Sequence, residues 1–311
     1  MKVLVSCPPM LKKIDEFRPI FEEKNIELVI PNIVQTLSEE ELEQILPEVD
    51  GWIIGDDPAT ERVFTAGKAG KLKAAVKWGV GVDNVDFAAC KKLGIPIINT
   101  PNMFGAEVAT VAAAFILGLA RQTYFIDREV RKGNWVKPAG RSISGLTVGL
   151  IGFGDIGKAT ARFLKGMDMN INVYDPFAKK DESDLQNYTF CEFPEKLEEA
   201  DFVVATCALT PSTRNIINSS SIAKMKDGVY IVNVSRGGII NEADLLEALK
   251  SGKVEAAALD VFEIEPLPIS SELRNFDKCI FGTHNGSNTI EGVRRATHQA
   301  ISYLFEFLGV N

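Results

Sequence analysis

The sequence predicts an α/β fold in which helices cover both faces of parallel β-sheets. Three observations carry this prediction: short apolar runs alternate with helical patterns, one such run leads into a glycine-rich turn, and the composition is that of an ordinary globular chain. Strands that alternate with helices require right-handed crossovers, and these produce parallel sheets. We therefore expect two doubly wound parallel-sheet lobes.

The 311-residue length suggests two domains, each large enough to bury its own core. A net charge of -8 leaves no general basic surface, so we expect a small-molecule partner rather than nucleic acid or membrane. The longest apolar stretch, residues 108–120, is shorter than the ~20 residues of a membrane span and predicts a buried helix. The first residues resemble a strand and turn rather than an export signal, which predicts a cytoplasmic location. Five cysteines without a C-x-x-C pair predict reduced thiols and no metal site.

Helix-boundary signals support the alternating pattern. Ser38 with Glu41 forms a capping-box signature, the acidic residues of 241–244 mark another helix start, and Gly252 is a helix stop. The predicted strands, in chain order, are 2–6, 51–54, 74–78, 97–98, 147–151, 170–174, 202–206, 229–234 and 256–259.

The most informative segment is the strand 147–151, which runs directly into a G-x-G-x-x-G motif and then an amphipathic helix. Gly152 permits a tight turn, Gly154 lets the backbone approach a pyrophosphate, and Gly157 allows close packing of the helix. The helix start offers N–H groups and partial positive charge to the phosphates. This context predicts a dinucleotide site.

A second apolar strand ends at Asp175, about 20 residues beyond the glycines, the distance at which an acid accepts from the adenosine ribose. A carboxylate there repels a 2′-phosphate, so the cofactor is predicted to be NAD rather than NADP. Lys179 and Lys180 lie close enough in sequence to weaken that preference. Because half the chain precedes this unit, we expect another α/β lobe before it.

Several further motifs resemble, in order and spacing, those of the D-isomer specific 2-hydroxyacid dehydrogenase family, and the resemblance extends over essentially the whole chain. The similarity is greatest to the D-3-phosphoglycerate dehydrogenase-like branch. The motifs are 78–86, the glycine motif, 232–238, 258–268 and 283–287.

This resemblance implies a Rossmann NAD-binding domain, residues 100–287, inserted into a flavodoxin-like substrate domain, residues 1–99 and 288–311. It also implies a substrate cleft between the lobes, hinge closure, and a homodimer formed through the nucleotide lobe. The reaction implied is hydride transfer between nicotinamide and C2 of a D-2-hydroxy acid or 2-oxo acid.

The chemistry of that reaction needs a carboxylate clamp and a proton donor. Arg236 follows an apolar strand, and its fork of donors suits a carboxylate. His284 is the candidate acid/base, because imidazole titrates near neutral pH, and Glu265 would pair with it and orient the ring. His298 is assigned to a terminal helix.

The resemblance also assigns contacts to cofactor and substrate. Asp260 would accept from the nicotinamide carboxamide, and the backbone of the first-lobe loop would hold the substrate carboxylate. The expected cofactor-binding residues are Gly152, Gly154, Asp155, Ile156, Gly157, Asp175, Cys207, Val234, Ser235, Arg236, Asp260 and His284. The expected substrate-binding residues are Lys77, Trp78, Gly79, Val80, Gly81 and Arg236.

Departures from the family pattern leave the substrate open. Where phosphoglycerate dehydrogenases carry a second basic residue, this chain has Gly55 followed by Asp56 and Asp57, which disfavours a phosphate. From the length of the sequence, we also expect no appended regulatory domain of the kind the family resemblance would otherwise suggest. Glu265 stands where formate-oxidising relatives have glutamine. Hydroxypyruvate or glyoxylate reduction is the alternative within the enzyme class. An NADH-sensing protein resembling the family's corepressors is the alternative outside it.

Overall fold

The computed structural model describes residues 1–310. Its helices in chain order are α1 Pro8–Leu11, α2 Ile14–Glu22, α3 Glu39–Ile45, α4 Glu61–Ala69, α5 Phe87–Leu93, α6 Gly105–Arg121, α7 Thr123–Arg131, α8 Asp155–Gly166, α9 Glu182–Asn187, α10 Ser219–Lys224, α11 Glu242–Ser251 and α12 Ile290–Leu308. Its strands are β1 Lys2–Val5, β2 Glu27–Val29, β3 Gly51–Ile54, β4 Ala74–Lys77, β5 Ile97–Asn99, β6 Thr147–Ile151, β7 Asn170–Tyr174, β8 Thr189–Phe190, β9 Phe202–Ala205, β10 Val229–Asn233, β11 Val254–Leu259 and β12 Ile280–Phe281.

The described chain divides into two compact units. Unit 1 comprises Met1–Met103 together with the chain from Asn288 onward, and unit 2 comprises Phe104–Ser287. Each unit contains one parallel sheet, so the predicted α/β class is confirmed. The assignment of substrate and cofactor roles to the two units stays a prediction.

The sheet of unit 1 has the strand order β2-β1-β3-β4-β5, and all its neighbours are parallel. The order reverses between β1 and β3, and in open α/β sheets ligands bind beyond the carboxyl ends of strands at such a reversal. Residues that follow these strands, including Gly55 after β3, therefore lie at the candidate ligand edge of unit 1. Helix α12 packs on the same sheet, and there the Trp78 indole N–H donates to the Thr297 hydroxyl at 3.1 Å.

The sheet of unit 2 has the order β12-β11-β10-β9-β6-β7-β8, again parallel throughout. This is the Rossmann order with one additional strand, and its reversal falls between β6 and β9. Gly152 follows β6 and Thr206 follows β9, so the glycine motif lies at the reversal point. The Thr206 hydroxyl donates to the Gly152 carbonyl at 3.0 Å, which ties the two strand ends together.

Most local signals in the sequence are confirmed. Ser38 and Glu41 form the reciprocal capping box, and Gly252 ends α11 in the left-handed region with φ 77. Residues 108–120 lie within α6, and His298 lies on α12. The turn expected after the first strand is wrong, because Pro8 starts α1, where a proline fits the first helical turn.

Among residues 1–310, no single helix is long and apolar enough to cross a membrane. The bent pair α6 and α7, with 67° between its halves, passes that test only when the two helices are taken together.

Candidate active site

The turn after β6 leaves space in front of a helix start. Gly152 has φ 97, and a Cβ there would lie 2.7 Å from backbone atoms of Cys207. Gly154 is the N-cap of α8 without a side-chain cap, and no other atom lies within 4 Å of the position its Cβ would take. The first N–H groups of α8, at Asp155 and Ile156, therefore face a site that fits the pyrophosphate of a dinucleotide.

Asp175, directly after β7, is held beside this turn by the backbone. Its Oδ2 accepts from the Phe153 N–H at 2.7 Å, and its Oδ1 accepts from the Phe177 N–H at 2.9 Å. Because each carboxylate oxygen has a second lone pair, the group can still accept from ribose hydroxyls. Nearby, the Lys180 ammonium lies 4.4 Å from the centroid of the Phe190 ring.

The strands on the other side of the reversal carry the remaining predicted cofactor contacts. Burial raises the pKa of the Cys207 thiol to about 11, so the thiol is neutral at physiological pH. Val234 is buried directly after β10. At the next position, Ser235 donates from both its N–H and its hydroxyl to the Asn233 side chain, at 3.0 and 2.9 Å. The Asn233 amide in turn donates to the Arg236 carbonyl at 2.8 Å. Asn233 thus holds the backbone that carries Arg236, a role that was not predicted from the sequence.

The three predicted catalytic side chains lie together in unit 2. The Nδ1 of His284 lies 2.8 Å from the Glu265 Oε2, and its Nε2 lies 3.4 Å from an Arg236 guanidinium nitrogen. The His284 and Glu265 side chains are 23% and 22% exposed, which leaves them accessible to a small ligand. Glu265 and Arg236, which lie 19 and 48 residues before His284 in the sequence, thus come within hydrogen-bond range of its ring.

The two ring nitrogens of His284 have different surroundings. A carboxylate beside Nδ1 assigns the proton of the neutral ring to that nitrogen, because Glu265 only accepts. The lone pair of the neutral ring is then on Nε2, next to the Arg236 guanidinium. Nε2 is therefore the ring nitrogen that can gain or lose a proton while Nδ1 stays bonded to Glu265.

Asp260 fixes the backbone around His284. Its carboxylate accepts from the N–H groups of Asn285 and Gly286 at 3.1 and 2.8 Å, and its own carbonyl accepts from the His284 N–H at 2.6 Å. His284 has φ 54, a left-handed conformation that costs energy in a residue other than glycine. These bonds offset that cost, and the expected carboxamide contact of Asp260 would be an additional one.

The glycine two residues before His284 has a steric explanation. Gly282 precedes the His284 loop, and any Cβ there would collide with the Asp260 carboxylate. Glycine at this position therefore allows Asp260 to approach the loop closely.

The candidate ligand edge of unit 1 contains a buried lysine whose positive charge is compensated by groups of the protein itself. Lys77 is 2% exposed, and its ammonium donates to the Gly55 carbonyl at 2.5 Å and to the Asp56 carboxylate at 3.1 Å. A cation with these partners is a poor receptor for a dianionic phosphate, because its charge is compensated before any ligand arrives.

The two adjacent acids in unit 1 have different environments. Asp57 is fully buried and accepts from the Ser6 hydroxyl at 2.5 Å and from the Leu37 and Gly55 N–H groups at 2.8 and 3.1 Å. Burial raises the pKa of this carboxyl group, whereas its hydrogen bonds lower it. Asp57 therefore shapes the turn, whereas Asp56 forms the direct ion pair with Lys77.

Some backbone N–H groups of the predicted substrate loop, residues 77–81, are already bonded within the protein. The Trp78 N–H donates to the Ile54 carbonyl at 2.9 Å, and the Gly79 N–H donates to the Thr100 hydroxyl at 2.8 Å. Among residues 1–310, no partner is bonded to the N–H groups of Val80 and Gly81. Those two N–H groups are the ones this loop can offer to an anion.

Comparisons with known proteins agree with this geometry. Residues 113–286 match the model of the D-isomer specific 2-hydroxyacid dehydrogenase, NAD binding domain. A hydroxypyruvate reductase of Thermotoga maritima is 40% identical over 279 residues, which cover 88% of this chain and 90% of the relative. A D-3-phosphoglycerate dehydrogenase of Archaeoglobus fulgidus is 34% identical over 94% of this chain, which spans only 54% of that relative's length.

The fold has matching solved structures. An NAD-dependent formate dehydrogenase from Staphylococcus aureus, solved in complex with NAD, matches with a TM-score of 0.85 and 26% identity. The match covers 98% of this chain and 95% of the solved chain.

Proposed function

The chain belongs to the D-isomer specific 2-hydroxyacid dehydrogenase family, and within it we propose that the substrate is an unphosphorylated 2-oxo acid such as hydroxypyruvate or glyoxylate. Membership makes the chain an NAD-dependent oxidoreductase that acts on a CH–OH group. The observation that carries the catalytic part of the proposal is the position of His284 between Glu265 and Arg236.

Each of the three side chains has a role in this proposal. NAD(H), when bound, supplies or accepts the hydride at C2 of the substrate. Arg236 holds the substrate carboxylate and the adjacent carbonyl oxygen with its planar fork. His284 gives a proton from Nε2 to the developing alkoxide, and Glu265 stabilises the charged ring through Nδ1. Glu265 also argues against formate as substrate, since formate oxidation needs no proton acceptor at this position.

Unit 1 supports the choice of an unphosphorylated substrate. Lys77 is bonded to Asp56, and a phosphate placed near this pair would face the Asp56 carboxylate. The hydroxypyruvate reductase is 40% identical to this chain, and the phosphoglycerate dehydrogenase is 34% identical.

Replacing Asp56 by Asn tests this substrate preference. The change leaves the Lys77 ammonium without a carboxylate partner, so kcat/KM for phosphohydroxypyruvate relative to hydroxypyruvate should rise about 10-fold. Steady-state kinetics with both substrates measures the ratio. Asp15→Asn, which removes an exposed charge elsewhere in unit 1, is the matched control and should leave the ratio unchanged. A wild-type enzyme that prefers phosphohydroxypyruvate would overturn the proposal.

Replacing Asp175 by Ala tests the cofactor preference. Loss of the carboxylate removes its repulsion of a 2′-phosphate, so the ratio of kcat/KM with NADPH to that with NADH should rise about 10-fold or more. Asp175→Asn separates charge from geometry, since its amide oxygen can still accept from one of the two backbone donors. An unchanged cofactor ratio in both variants would refute the role assigned to Asp175.

The cytoplasmic location stays a prediction of the sequence, and the homodimer stays an implication of the family resemblance. Exposed apolar residues on α7 and beyond it are compatible with the dimer: Tyr124, Val130 and Trp135 are 41%, 45% and 81% exposed in the single chain. Sedimentation velocity measures the oligomeric state directly.

A further inference from the structure

Two glutamates outside the catalytic group join the start of α11 to the loop that carries Glu265. The Glu263 N–H donates to the Glu242 carboxylate at 2.6 Å, and the Glu242 N–H donates to the Glu263 carboxylate at 3.1 Å. We call this reciprocal pair the Glu242–Glu263 clasp. Glu242 is the first residue of α11, where the backbone N–H has no partner within the helix, so each half of the clasp satisfies a backbone donor of the other.

The clasp lies next to both catalytic elements. The Phe262 N–H, one residue before the clasp, donates to Glu265 Oε1 at 2.9 Å, and the other oxygen of Glu265 is bonded to His284. Gly237 also lies against this segment: a Cβ on Gly237 would collide with the peptide that joins Phe262 to Glu263. The segment around this peptide therefore contacts Gly237, which directly follows Arg236, and is also bonded to Glu265 through the Phe262 N–H.

The Glu242 carboxylate lies in a partly buried position near the charges of Glu263 and Glu265. Burial raises the pKa of Glu242, and the charges of Glu263 and Glu265 raise it further, while the bond from the Glu263 N–H lowers it. Three carboxylates near one another repel, so the hydrogen bonds of the clasp must offset that repulsion.

We propose that Glu242 is a positioning residue for the reaction. By holding the peptide between Phe262 and Glu263 against Gly237, it sets the separation between the Arg236 guanidinium and the Glu265–His284 pair. The inference rests on the proposed roles of those three side chains.

The test uses Glu242→Ala, Glu242→Asp and Glu242→Gln in the full chain. Neither Ala nor the shorter Asp can bond to the Glu263 N–H. Each should therefore lower kcat for hydroxypyruvate about 10-fold or more, because a displacement of the reacting groups by about 1 Å causes a loss of at least that size. NADH affinity, measured by fluorescence titration, should stay within about threefold. Gln keeps an accepting oxygen at the same reach and should recover most of kcat. Glu182→Ala, at the exposed first residue of α9 in the same unit, is the control for loss of a helix-start charge.

A double-mutant cycle with Glu265→Ala completes the test. If the clasp acts through Glu265, Glu242→Asp causes little further loss of kcat once Glu265 is absent. Full additivity of the two losses would overturn the inference, as would wild-type kcat in Glu242→Asp or an equal loss in Glu242→Asp and Glu242→Gln. Failure of the proposed function is recognised separately, because the wild type would then not turn over unphosphorylated 2-oxo acids, or His284→Ala would keep wild-type turnover.

Discussion

Replacing His284 by Ala should lower kcat for 2-oxo acid reduction by about 10² to 10⁴ while leaving NADH affinity nearly unchanged. The imidazole is the group placed to protonate the developing alkoxide, and its Nε2 is directed away from the Glu265 bond, toward Arg236. Stopped-flow mixing of the enzyme–NADH complex with substrate measures the loss in the chemical step itself.

Two variants serve as references for His284→Ala. His298→Ala removes an exposed histidine whose ring contacts Phe17 edge-on in unit 1, and it should leave kcat near that of the wild type. Glu265→Gln keeps the size of the side chain but removes the charge that stabilises imidazolium, so its kcat should lie between those of the wild type and His284→Ala. Equal turnover in the wild type and His284→Ala would remove His284 from the mechanism.

The second large effect is expected at Arg236. Arg236→Lys keeps the charge but loses the fork that binds a carboxylate in two places, and kcat/KM should fall by about 10² to 10³. The loss should appear in both KM for the 2-oxo acid and kcat, because the clamp holds the ground state and also orients C2. Arg162→Lys, an exposed position on α8, is the matched control. A kcat/KM within about threefold of the wild type would contradict the clamp assignment.

The sequence predicted the interior of both sheets better than their edges. The bounds of β3, β6 and β7 match the predicted strands residue for residue, because each strand is mostly buried and is followed directly by a glycine or an aspartate. The strands β2, β8 and β12 were missed, and all three lie at sheet edges. Edge strands of two or three residues are paired on one side only, so their apolar pattern is weak.

Within the site, the motifs identified the reacting groups but not what fixes them. Arg236 and His284 can be identified from the sequence because each is a reactive residue type that follows the end of a strand. The hydrogen bonds that Asn233 donates and Asp260 accepts depend on backbone directions that are set only when the turns form. The different environments of two acids in unit 1 could not be predicted from the sequence either. Asp56 and Asp57 are adjacent in sequence, yet one pairs with Lys77 and the other is buried.

Glu242 shows how a tertiary contact can change the interpretation of a local signal. In the sequence it is an acid in the first turn of a helix, which the helix dipole fully explains. Its partner Glu263 lies 21 residues away, a pairing that no local spacing rule predicts.

The measurement that tests the central claim most directly is NADH oxidation, followed by absorbance, with hydroxypyruvate, glyoxylate, phenylpyruvate and phosphohydroxypyruvate as substrates. We expect robust turnover of at least one unphosphorylated 2-oxo acid, slower turnover of the phosphorylated one, and little activity with NADPH. Tight NADH binding without turnover of any unphosphorylated acid would contradict this expectation.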